Sequence, residues 1–139
     1  MAEAVFLVDI DADKSTIVEA LTSQDGLRSW WTNDANVTDT SLDLGFPHAP
    51  ARFDLSVDAV SEDDVQWTSA GEFPPHWVGT TVSWKILDHP EGSGSQVFFS
   101  HSGFAAPDPM LGHSAFTWAA LLGQLKSYAE TGEGGTFFG

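Results

Sequence analysis

The sequence predicts an α+β domain in which a curved antiparallel sheet packs on one long helix. Three observations carry this. Apolar residues alternate with polar ones over several segments between 51 and 102, the period of half-buried strands. From Pro109 to about Glu130, Leu111, Ala115, Trp118, Leu122, Leu125 and Ala129 recur every three or four residues, the stripe of an amphipathic helix. The chain has 139 residues, the size of one domain, and residues 1–139 read as one, with 131–139 a glycine-rich tail.

Residues 4–10 (Ala-Val-Phe-Leu-Val-Asp-Ile) read as a first strand, ended by Asp11 to Asp13. Ser15 is placed to cap a helix that buries Ile17, Val18 and Leu21. A second short helix follows Asp25-Gly26 and carries Leu27, Trp30 and Trp31. Asn33 to Asp43 is polar and turn-rich, with room for one short strand near Val37. Phe53, Leu55 and Val57 then alternate with Arg52, Asp54 and Ser56. Val65 to Ser69 is the next strand. Glu72 to Trp77 is a loop, because two adjacent prolines prevent ladder pairing. Thr80 to Leu87 and Gln96 to Ser102 form a hairpin around a Gly-Ser-Gly turn. Gly103 to Pro109 is another loop, and Thr131-Gly132 stops the long helix.

Composition excludes several functions. With 20 Asp and Glu against 5 Lys and Arg, the formal charge is −15, which repels nucleic-acid phosphates and anionic lipid headgroups. There is no cysteine, so disulfides, thiolate nucleophiles and cysteine metal sites are out. Its histidines (48, 76, 89, 101 and 113) form no pair at metal-ligand spacing, and the acidic runs lack a calcium-loop pattern. No glycine-rich segment continues as a phosphate loop. No metal or cofactor is expected. No basic leader and no apolar run of about 20 residues is present, which sets the expectation of a cytoplasmic protein without membrane insertion.

Several motifs resemble one family. Ile10-Asp11-Ala12-Asp13 before Ile17-Val18-Glu19-Ala20-Leu21 resembles its opening strand and helix, and Leu27 with Trp30-Trp31 its double-tryptophan signature. Trp77-Val78-Gly79-Thr80-Thr81-Val82-Ser83-Trp84 and Val97-Phe98-Phe99-Ser100-His101-Ser102-Gly103 resemble two of its strands. Trp118, Leu122, Leu125, Tyr128 and Thr131-Gly132 resemble its closing helix. The family is the START-like (helix-grip, SRPBCC) superfamily, and within it the bacterial single-domain relatives of the heat-shock-protein-90 ATPase activator. Pro47-His48-Ala49-Pro50 and the acidic surface depart from the pattern. The resemblance implies six or seven antiparallel strands curled around the C-terminal helix, with two short helices after the first strand. It also implies a cavity between sheet and helix that takes lipid-like or polyketide-like molecules.

Strand parity proposes Phe53, Trp67, Trp84, Phe99 and His101 for the cavity wall, with Trp118 and Leu122 from the long helix and Trp31 of the short second helix closing one end. The competing reading is that these rings fill a solid core. His101 is the main polar candidate, either as an acid or base or as a structural histidine tied to a backbone carbonyl. Phe73, His76 and Trp77 are candidates for a gating loop. Three functions follow. The first is binding of a hydrophobic or aromatic small molecule. The second is a cyclase, aromatase or dehydratase built on His101, with Asp54, Asp58 or Glu72 as partners, although parity turns Asp54 outward. The third is association with a chaperone. A homodimer is a further candidate assembly.

Overall fold

A computed structural model describes residues 2–47, 49–104 and 109–133. His48, residues 105–108 of the loop before the long helix, and the tail from 134 with Phe137 and Phe138 lie outside the described residues.

Strand β1, Ala2–Ile10, turns Ala4, Phe6, Val8 and Ile10 toward the core and Glu3, Val5, Leu7 and Asp9 away from it, as its two-residue period requires. Helix α1 spans Lys14–Thr22 and buries Ile17, Ala20 and Leu21. Asp13, not Ser15, holds its N-cap position: its extended backbone (φ −67°, ψ 153°) precedes the helix, and its carbonyl accepts from Ile17 N. Ser15 falls inside the first turn. Helix α2, Gln24–Trp30, is capped by Ser23, whose hydroxyl accepts from Gly26 N at 2.9 Å. Gly26 is required there, since a Cβ would lie 2.7 Å from the Ala20 backbone of α1.

The polar segment expected to hold one short strand holds two, β2 (Asp34–Val37) and β3 (Ser41–Gly45). Neither has strong strand propensity. Their order comes from pairing, Ala35 with Leu44 and Leu42 with Leu55 of β4. Strands β4 (Phe53–Val60), β5 (Asp64–Ser69), β6 (Thr81–Asp88) and β7 (Ser95–Phe104) follow, with a 3-10 turn at Pro75–Trp77 before β6. The seven strands make one curved, open antiparallel sheet in the order β1-β7-β6-β5-β4-β3-β2. Its inner face lines up Trp67 with Val82, Trp84 with Phe99 and Val82 with His101.

Helix α3, Pro109–Thr131, packs across this inner face. It buries Ser114, Trp118, Leu121, Leu122, Leu125 and Ala129. The expected stripe included Leu111 and Ala115, which are only half-buried; the N-terminal half of α3 turns a different edge inward, led by Ser114. The far end of α3 is tied to β1. Lys126 donates to the Asp9 carbonyl at 2.6 Å, and Asp11 N donates to the Glu130 carboxylate at 2.9 Å. The Asp11 bond and then Lys126 hold the Glu130 carboxyl below its ordinary range. The architecture is the α+β helix-grip fold. Among the described residues no helix is long and apolar enough to cross a membrane.

Candidate functional site

At the open end of the grip, three groups of residues converge: Phe46, Pro47, Ala49 and Phe53, the turn at 73–77, and the first turns of α3. They enclose a cleft of about 320 Å³. Its wall is a chain of rings in mutual contact. Phe46 meets Phe53 edge-to-face at 4.6 Å, and Phe53 meets Phe73 at 5.4 Å and Trp77 at 5.1 Å. Trp77 stacks parallel to Trp118 at 6.0 Å, and Trp118 touches Trp31 at 5.1 Å. Polar atoms are few. His76, His113, Ser114 and Thr117 reach the lining, and among the described residues no Asp, Glu, Lys or Arg does. The indole of Trp77 donates to the Ser114 hydroxyl at 3.2 Å, which pins the 73–77 turn to α3.

His101 lies one layer deeper, fully buried. The Trp118 indole donates to its Nδ1 at 3.0 Å. An indole N–H only donates, so Nδ1 accepts and the ring proton sits on Nε2. Nε2 then donates to the Thr80 hydroxyl at 2.8 Å, and Thr80 donates to the Trp77 carbonyl at 2.6 Å. Burial, and secondarily the neighbouring His76, push the His101 pKa down to about 3. Both ring nitrogens are occupied and the ring stays neutral, so His101 serves as a strut between sheet, turn and helix. Its partners are a hydroxyl and an indole, in place of the backbone carbonyl expected for a structural histidine. The carboxylates considered as its partners are elsewhere: Asp54, Asp58 and Glu72 are all exposed, and Asp58 accepts from Ser56 and Thr68.

The structure divides the proposed wall into two groups. Trp31, Phe53 and Trp118 line the cleft, as do Phe73, His76 and Trp77 of the proposed gating loop. Trp67, Trp84, Phe99, His101 and Leu122 pack behind it as solid core. The reason is ring size: Trp84 contacts Trp30, Trp67, Phe99 and Trp118, and together these rings fill the space between sheet and helix. On α3 the cleft takes Leu121 rather than Leu122. Phe46 and Leu121 are lining residues that parity did not select. Phe46 follows the last residue of β3, where the strand itself was not foreseen. Among the described residues no group of three or more His, Cys, Asp or Glu gathers to hold a metal.

A curved antiparallel sheet gripping one long helix, with an aromatic cleft at its open end, defines the chain as a START-like domain. Among solved structures it is similar to the Aha1 dimer from Colwellia psychrerythraea, at 30% identity and TM-score 0.84, over 96% of this chain and 100% of that one. The chain belongs to the Aha1-like family. It shares its fold with the AHSA1-like protein from Aeromonas hydrophila (12% identity, TM-score 0.69, 94% of this chain and 94% of that one). It also shares it with DynU16 of the dynemicin biosynthetic locus (21% identity, TM-score 0.71, 95% of this chain and 48% of that one). No protein-family model and no curated protein sequence matches the chain.

Proposed function

We propose that the protein binds a neutral apolar or aromatic small molecule in the cleft between α3 and the 73–77 turn. One observation carries this reading: in a chain of net charge −15, the described residues that wall the cleft are mostly aromatic and apolar, with no Asp, Glu, Lys or Arg among them. Small-molecule sites of roughly 300–1,000 Å³ have this character, an apolar wall with a few polar groups. The surrounding negative field disfavours a carboxylate-bearing ligand, so a neutral ring system fits better than a fatty acid. A thermal-shift series with fluorene and with palmitate tests this. Fluorene should raise the melting temperature progressively with concentration, as mass action demands, and palmitate should do so less. Equal shifts, or a shift with palmitate alone, would reverse the assignment.

We infer a second property from the outer face of the sheet. Its two edges are treated differently. Edge β2 is covered by α2, with Arg28 donating to the Ala35 carbonyl and Gln24 accepting from Val37 N. Edge β1 carries exposed Val5 and Leu7, the latter 61% exposed, beside exposed Phe98 of β7. Lys126 of α3 ties the Asp9 end of β1, and the exposed apolar residues before that end invite pairing with another strand. The similar Colwellia protein is a dimer, and we assign a second copy of this chain to the β1 face. Light scattering should find a dimer that Leu7→Lys converts to monomer; a monomeric wild type at high concentration would remove this assignment.

A further inference from the structure

Of the six tryptophans, three have a clear partner for the indole N–H: Trp30 donates to the Ala20 carbonyl, Trp77 to Ser114 and Trp118 to His101. Trp67 and Trp84 are different. Both are fully buried, and neither indole nitrogen has a hydrogen-bond partner among the described residues. A buried orphan donor is costly, and phenylalanine or leucine would fill such a position without that cost. The two residues adjoin, their rings meeting at 5.3 Å and 65°. An indole edge resting on a neighbour's π face recovers only part of a full hydrogen bond.

Their position relative to the cleft gives these donors a use. Trp31 lines the cleft and stacks on Trp67, with ring centres 6.0 Å apart and planes 19° apart. Trp118 lines the cleft and meets Trp84 edge-on at 5.9 Å. The unpaired donors therefore lie one ring behind the cleft wall. Trp31 caps the C-terminus of α2, its N–H donating to the Leu27 carbonyl at 3.0 Å, so the partition can open by rotation of its side chain on a fixed backbone.

We propose that Trp67 and Trp84 form the oxygen-recognising end of the ligand site. When Trp31 swings aside, their indole N–H groups donate to a carbonyl or hydroxyl oxygen carried by an aromatic ligand. An indole N–H never accepts, so the pair selects acceptors, and the described lining, with no Asp, Glu, Lys or Arg, selects neutral ones: ketones, quinones and phenols rather than carboxylates. This inference rests on the cleft being the binding site for a neutral aromatic molecule.

A matched pair of probes tests it. Fluorene and 9-fluorenone differ by one carbonyl oxygen. Both are titrated into the ¹⁵N-labelled protein, following the six indole N–H resonances, with Trp67→Phe and Trp84→Phe providing assignments. Fluorene is expected to move the signals of Trp31, Trp77 and Trp118. Fluorenone should in addition move the Trp67 or Trp84 indole proton downfield and bind about three- to tenfold more tightly, the effect of one hydrogen bond. The preference, read as the ratio of fluorenone to fluorene affinity, should vanish in the Trp67→Phe/Trp84→Phe double variant. Equal wild-type affinities for the two probes, or a preference that survives the double variant, would overturn the proposal while leaving the cleft as a binding site. If neither probe binds, the cleft reading fails and this inference with it. Should the double variant not fold, the wild-type spectra alone decide between these outcomes.

Discussion

The Trp118 indole donates to Nδ1 of His101 at 3.0 Å, joining α3 to the inner face of β7. That bond and the one from Nε2 to Thr80 use both ring nitrogens. Replacing His101 with leucine strands the buried Trp118 donor and cuts the tie to Thr80. The expected loss is about 2–3 kcal/mol of folding stability, read by urea denaturation. A loss within 0.5 kcal/mol would mean the bonds carry little.

The same ring makes stability depend on pH. Its folded pKa of about 3 lies below the ordinary histidine value of 6.5, so the unfolded chain takes up the proton first. The contribution is complete above pH 6.5 and declines as pH falls toward 3, by about 1.4 kcal/mol per unit. Between pH 6.5 and 5, wild type should lose this amount relative to His101→Leu. Parallel pH profiles for the two proteins would contradict it.

Ser114→Ala removes the acceptor of the Trp77 indole and unpins the 73–77 turn from α3. A cost of about 1–2 kcal/mol is expected, together with weaker fluorene binding, because the turn supplies part of the cleft wall. Unchanged affinity would show that the turn does not shape the site.

Gly103 has φ +95°, and a Cβ there would stand 3.0 Å from the Gly79 carbonyl oxygen. It lies two residues beyond His101 and against the backbone of Thr80. Gly103→Ala should cost about 1–3 kcal/mol and displace Thr80 from His101. Calorimetry and the His101 side-chain resonances would register both effects; an unperturbed His101 signal would separate the strain from the strut.

The charge has its own signature. Arg52 bridges strands, bonding Asp34 at 2.7 Å and Asp43 at 2.6 Å, and its bond holds the Asp34 carboxyl below the ordinary range. With 20 acidic groups against 5 basic ones, added salt should raise the melting temperature by screening repulsion. Arg52→Ala should lower stability most at low salt. A melting temperature that fell with salt would argue against self-repulsion.

Much of this fold is legible in the sequence, because strands β4 to β7 and helix α3 bury one face each and so alternate visibly. β2 and β3 are not: Asp34–Val37 and Ser41–Gly45 owe their order to partners distant in sequence. Parity also assigns residues to the inner face without revealing whether facing rings leave space. Trp84 and Phe99 point inward as expected, yet they meet at 4.8 Å and close the interior. The cleft consequently sits at the end of the grip, where Phe46, Phe53 and Trp77 come together from segments whose convergence no local pattern encodes.

The most direct test of the account is a backbone amide shift map with fluorene. Changes should concentrate at Phe53, Trp77, Ser114 and Leu121, around the cleft, in a saturable titration. Changes confined to Val5, Leu7 and Phe98 on the outer face, or none at all, would contradict it.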